Sequence, residues 1–137
     1  MGELIGTVTL DKNGLVDKNH YQFFTNKVEM NSPYLKLIQH STMGAWNTTF
    51  IDILVAQATG ASCGRIVIVI SSDNSEVKGI SIFKSGNPTA KILKDSQFIY
   101  IQKTYQYRVI VNVSSTNNFP LILESLSDAP DDTTEVQ

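Results

Sequence analysis

Cysteine is nearly absent from this 137-residue chain. Cys63 stands alone, so an intrachain disulfide is excluded, and with it the disulfide framework of a small secreted domain. Placed at a loop-to-strand edge in Ala61-Ser62-Cys63-Gly64, it reads as a small buried hydrophobe, since a nucleophilic thiol needs a base within reach. Histidine is almost as scarce. His20 and His40 fall in no HExxH, HxH or Cys-paired context, so no metal site is expected, and each reads as an ordinary surface or hydrogen-bonded histidine. Charged residues make up 18% of the chain, below the usual quarter, and net charge is −2. Lysine and arginine are scattered singly and leave no basic patch, which argues against nucleic acid as a partner. No apolar run approaches the roughly 20 residues that span a bilayer, so no membrane insertion is expected. The N-terminus lacks the basic region and apolar core of a signal peptide, and Gly6 stands where myristoylation would require serine or threonine.

Catalytic motifs are missing too: no GxSxG elbow, no P-loop, no Rossmann glycine pattern. The chain is therefore expected not to be an enzyme and to need no cofactor. Carboxylates cluster only at Asp128, Asp131 and Asp132, in a tail that reads as loose, whereas glycosidases need two carboxyls held on a rigid frame. Asp11, Asp17, Asp52, Asp73 and Asp95 are single. Among these, Asp52 alone lies in an apolar strand.

What remains is β-structure. The segment 46–123 reads as one strand after another, separated by polar turns at 60–63, 71–75, 85–88 and 114–118. Residues 64–70 and 107–113 are dense in the β-branched side chains that pack on pleated surfaces. Residues 46–57 form the longest candidate, with Trp46, Phe50, Asp52 and Leu54 on one side and Ile51, Ile53 and Val55 on the other. Apolar residues on both sides predict a central strand covered twice. Residues 105–113 alternate cleanly, and 121–123 after Pro120 read as a last edge strand. Eight to ten short strands at this spacing predict an all-β antiparallel sandwich of jelly-roll type.

Three regions are expected. Residues 1–33 form an irregular N-terminal extension containing an Asn13-Gly14 hairpin, 34–126 the sandwich, and 127–137 a flexible acidic tail. Both sequons, at Asn47 and Asn112, fall inside strands and read as chance occurrences.

Binding candidates are loop polar groups and aromatics. Asp73, Asn74, Asn117 and Asn118 offer hydrogen bonds to hydroxyls, and Phe119 and Tyr105 offer ring faces, a combination suited to glycans. Tyr100, Tyr107 and Trp46 carry the same chemistry but read as packing residues.

The segment 95–113 resembles the late strands of C-terminal domains in phage tail spikes, tail fibres and neck appendages. The likeness rests on Ile99-Tyr100-Ile101-Gln102-Lys103, on Tyr107-Arg108-Val109, on the polar loop 114–118 and on Phe119-Pro120-Leu121. Upstream, Gly44-Ala45-Trp46, Phe50-Ile51-Asp52-Ile53 and 64–68 resemble the opening strands of those domains, and the likeness spans 34–123. It implies a homotrimeric jelly roll similar to tumour-necrosis-factor-like domains at the tip of a virion tail or neck appendage. Such a domain binds a host surface glycan or cell-wall polymer during adsorption. It implies equally a trimerisation cap with no ligand, and leaves open a polysaccharide hydrolase with an intersubunit site. Within a trimer, Ile51, Ile53 and Val55 are the expected interface. The Ser-Asp and lysine pattern of self-cleaving appendage chaperones is missing, so autoproteolysis is not expected.

Overall fold

The computed structural model describes residues 26–42, 46–60, 62–74, 77–116 and 120–137. Among these residues the chain forms ten strands: β1 (Lys27–Met30), β2 (Tyr34–Gln39), β3 (Thr48–Gln57), β4 (Cys63–Ser72), β5 (Val77–Gly86), β6 (Ala90–Lys94), β7 (Phe98–Lys103), β8 (Val109–Ser115), β9 (Glu124–Leu126) and β10 (Thr134–Glu135). One 3-10 turn, His40–Thr42, follows β2. The strands form two antiparallel sheets of five. Sheet I has the order β1-β8-β3-β4-β5, and sheet II has the order β10-β6-β7-β2-β9. The expected all-β sandwich is the fold.

Strict alternation creates the core. Ile51, Ile53 and Val55 of β3, Ile66, Ile68 and Ile70 of β4, and Val109, Val111 and Val113 of β8 all point inward and are fully buried. Leu35, Leu37 and Ile38 of β2, Ile92 of β6, and Ile99 and Ile101 of β7 meet them from sheet II. Each such side chain contributes about 1.5–3 kcal/mol through burial. The continuous Ile-Val run of β4 therefore splits: its isoleucines are buried, while Val67 and Val69 face outward and are half-exposed. In sheet I, β8 returns by a long connection through sheet II to lie beside β3, so β8-β3-β4-β5 is a Greek key. Paired keys define a jelly roll. The departure here is the β3-β4-β5 meander, which short turns hold within one sheet.

Several segments differ from the sequence reading for identifiable reasons. Residues 104–108 are bent rather than extended, because the chain crosses there from β7 in sheet II to β8 in sheet I. The Lys103 ammonium holds the bend by donating to the Tyr107 carbonyl at 2.8 Å. Residues 121–123 are not a strand: Leu123 has φ of 54°, and pairing begins only at Glu124. The C-terminal segment is docked rather than loose. Thr134 and Glu135 pair with Lys94 and Leu93, the Val136 amide donates to the Ile92 carbonyl at 2.8 Å, and the Val136 side chain is buried. At the other end, β1 already belongs to the sandwich as an edge of sheet I, so the domain starts before residue 34. The Asn13-Gly14 hairpin lies outside the described residues.

Candidate interaction surface

The two outer faces of the sandwich differ in chemistry. Sheet II presents Lys36 with Glu124 at 3.6 Å and Lys91 with Glu135 at 3.9 Å, and the Lys36 ammonium also lies 4.3 Å from the centre of the Phe98 ring. That is an ordinary solvated face.

Sheet I carries exposed apolar side chains outside, interspersed with polar ones, as well as an apolar core inside. Strand register sets its outward residues in rows: Phe50 beside Val69 beside Ser81; then Ser114, Asp52, Val67 and Phe83; then Asn112, Leu54, Arg65 and Ser85. Phe50, Leu54 and Phe83 are 48%, 50% and 64% exposed. In their midst the Arg65 guanidinium binds both Asp52 oxygens, Nε to Oδ1 at 2.8 Å and Nη2 to Oδ2 at 2.6 Å. The Asp52 hydrogen bond and charge raise the Arg65 pKa above its ordinary value, against a small opposing effect of burial. Asp52 is thus a half-buried, paired acid on the outward side of β3 and not one held in an apolar interior.

Ile51, Ile53 and Val55, the expected intersubunit contact, lie on the opposite side of β3. They fill the core between the chain's own two sheets and are at most 1% exposed, so a neighbouring chain cannot reach them. The outward side of β3 is instead the one that carries Asp52. The sequence held that signal: a lone carboxylate in a strand marks the wet face, because acids are almost never buried unpaired.

At one end of sheet I the chain forms a clamp. The Trp46 amide donates to the Asp73 carbonyl at 3.0 Å, the Asn47 amide to Ser72 Oγ at 3.1 Å, and the Ser72 amide to the Asn47 carbonyl at 2.9 Å. Trp46 has φ of 56°, a left-handed conformation costly for a bulky side chain, and its indole is 73% exposed. The expectation that Trp46 is a core residue is therefore reversed.

Of the six residues expected to bind glycan, the three described ones do not converge. Asp73 and Asn74 lie at the Trp46 end, in the connection leaving β4. Asn117, Asn118 and Phe119 lie outside the described residues. Thr116, just past β8, lies near the Trp46 end, its Oγ1 accepting from the Phe50 amide and its amide donating to the Phe50 carbonyl, both at 3.0 Å. Tyr105 lies at the opposite end, where the Arg108 carbonyl accepts from the Ala58 amide beyond β3. It is half-buried and packs edge-on against Tyr107, ring centres 5.6 Å apart. Tyr107 is 62% exposed, not the packed core residue expected, whereas Tyr100 is buried as expected.

Other chemistry-bearing groups have structural surroundings. His40 is buried with Nε2 3.0 Å from the Asp95 carbonyl, and its Nδ1 has no partner among the described residues. Cys63 is exposed, because it begins β4 on the outward side, correcting the buried reading. Among the described residues, no three His, Cys, Asp or Glu side chains group as metal ligands do, and no helix is long and apolar enough to cross a membrane. Comparison with family models, curated proteins and solved structures gives no match.

Proposed function

We propose that this chain is a non-catalytic attachment module of a virion tail or neck appendage, taking a host surface glycan or cell-wall polymer at the Trp46 end of its sandwich. The observation that carries this reading is the exposed indole of Trp46, fixed in a left-handed backbone conformation beside Asp73 and Asn74. Residues kept in costly conformations by surrounding hydrogen bonds concentrate at functional sites. An exposed ring at the same corner of the sandwich as a carboxylate-bearing and an amide-bearing residue supplies the two kinds of group, apolar and hydrogen-bonding, that a sugar surface calls for. Mounting such groups on a connection from a rigid ten-residue strand keeps the site preformed. Repetition of the site in an assembly of copies multiplies weak single-site affinity.

Trp46 is the only tryptophan in the chain, so intrinsic fluorescence reports on this corner alone. Titration with purified host cell-wall polysaccharide is expected to shift or quench the emission saturably. Replacing Trp46 with alanine is expected to weaken binding, followed by calorimetry, about tenfold, the scale of one lost ring contact. Emission that stays constant through saturating polymer, with no heat of binding, defeats the attachment reading and leaves the ligand-free cap. Shortening of the polymer during incubation, abolished in Asp52→Asn, defeats it in favour of an intersubunit hydrolase.

A further inference from the structure

We infer that the outer face of sheet I is covered by a second copy of this chain. The two faces of the sandwich give the first reason. Sheet II turns Lys36, Lys91, Glu124 and Glu135 to solvent, whereas sheet I turns out Phe50, Leu54, Val67, Val69 and Phe83, the chemistry of a surface that spends its time out of water. Extent gives the second. Five strands about 4.8 Å apart, three of ten residues, one of seven and one of four, at about 3.3 Å per residue cover about 650 Å2, within the range of about 600–1,000 Å2 that each partner contributes to a standard interface.

Charge identifies the occupant. Among the described residues, the charged side chains on this face are Lys27, Glu29, Asp52, Arg65 and Arg108, and both acids are already joined, Asp52 to Arg65 and Glu29 to Arg108 at 2.9 Å. A strongly acidic or basic partner finds nothing here to complement. A glycan finds few groups for its hydroxyls among Phe50, Leu54, Val67, Val69 and Phe83. A copy of the same face brings charges of both signs, mostly already paired, with apolar surface to match, the requirement of a self-complementary contact. Asp52 lies on β3, the central strand of the five, with Arg65 on the adjacent strand. Arg65 uses two of its five N–H donors on Asp52, so in the assembly its remaining donors face the partner copy's carboxylate.

This assignment does not depend on the glycan reading, and its test is mass alone. At about 50 µM, above the micromolar limit typical of interfaces of this size, light scattering behind size exclusion is expected to give twice 15.2 kDa, whereas three times that mass, which a face-to-face pair does not give, overturns the inference. Replacing Phe50, Leu54 and Phe83 together with threonine preserves strand propensity and is expected to give 15.2 kDa with an unchanged far-ultraviolet spectrum. Should that triple variant fail to fold, Phe83→Thr alone, on the edge strand, is expected to lower the oligomer fraction at least tenfold. Tyr107→Thr, exposed but off this face, should keep the oligomer mass. A 15.2 kDa species from the unaltered chain, or an oligomer that survives the folded triple or single threonine variant, overturns the inference.

Discussion

Asp95 occupies the turn between β6 and β7, and its two oxygens accept three hydrogen bonds. Oδ1 takes the amides of Gln97 and Phe98 at 2.8 and 2.6 Å, and Oδ2 takes the Tyr100 hydroxyl at 2.8 Å. Burial pushes the Asp95 carboxyl up, but the Phe98 and Gln97 amides, the Tyr100 hydroxyl and nearby His40 outweigh it and hold the group below its ordinary value. Tyr100 moves the other way: burial first, then the bond to Asp95 and the surrounding negative charge, raise it to about 12. The signs follow by linkage. For Asp95, the stabilisation is complete above the ordinary carboxyl pKa of the unfolded chain and is lost as pH falls through the lower folded value. For Tyr100, it is complete below pH 10 and is lost as pH climbs to about 12. Urea unfolding of the Tyr100→Phe protein should lose the contribution of this group to the fall in stability over that alkaline window, at a cost of about 1–2 kcal/mol near neutrality. Asp95→Asn should likewise lose its own contribution to the acid-side slope. A Tyr100→Phe protein with the same alkaline slope as the parent would show that this hydroxyl does not titrate with folding.

Elements show which features a sequence can and cannot announce. The inward residues of β8 are legible because the clean period-2 alternation of Val109, Val111 and Val113 with Ile110 and Asn112 sets one face to the core. The Asp95-Ser96 turn is legible because aspartate caps a turn with its own carboxylate. Apolar residues on both sides of β3 and β4 hide which side meets the core, although Asp52 marks the outward side of β3. Trp46 also escaped, since its left-handed backbone depends on long-range bonds to residues 72 and 73. Close approach of backbones is equally silent. Gly64 of β4 lies where a Cβ would overlap the Pro88 nitrogen and sit 2.7 Å from the Ser85 carbonyl, while Gly86 turns the chain at φ 70°. Both partners are backbone and cannot swing aside. Gly64→Ala is therefore expected to separate the end of the β4–β5 ladder and to destabilise the fold by about 1–3 kcal/mol, read as a lower urea midpoint. Gly60, with φ of 81° but open space around it, should suffer only the backbone strain of the same change.

Across the whole molecule, the ends of the described chain finish the sheets. β1 lies at the edge of sheet I against β8, and β10 at the edge of sheet II against β6, so both sheets reach five strands only through terminal segments. That explains why a three-region division of the sequence fails at its borders. The acidic, proline-containing composition of 127–137 resembles a disordered tail, and Asp131 and Asp132 are indeed exposed. Yet one apolar residue, Val136, enters the core, and the Lys91–Glu135 pair lies over the outer side of the same ladder. A single buried valine among acids carries no periodic signal, so its role emerges only from the fold. If the segment were loose, removing residues 133–137 would leave stability unchanged. Because Val136 is 5% exposed and its amide bonds Ile92, removal should instead cost about 2 kcal/mol through lost burial and an uncovered β6 edge. Val136→Asp, which keeps the chain length but places a charge against the core, should cost at least as much, and amides of β6 should exchange faster in both proteins. Because this edge lies in sheet II, neither change should alter the mass of any assembly formed through sheet I, so lost tail docking and lost self-association remain separable within one set of samples.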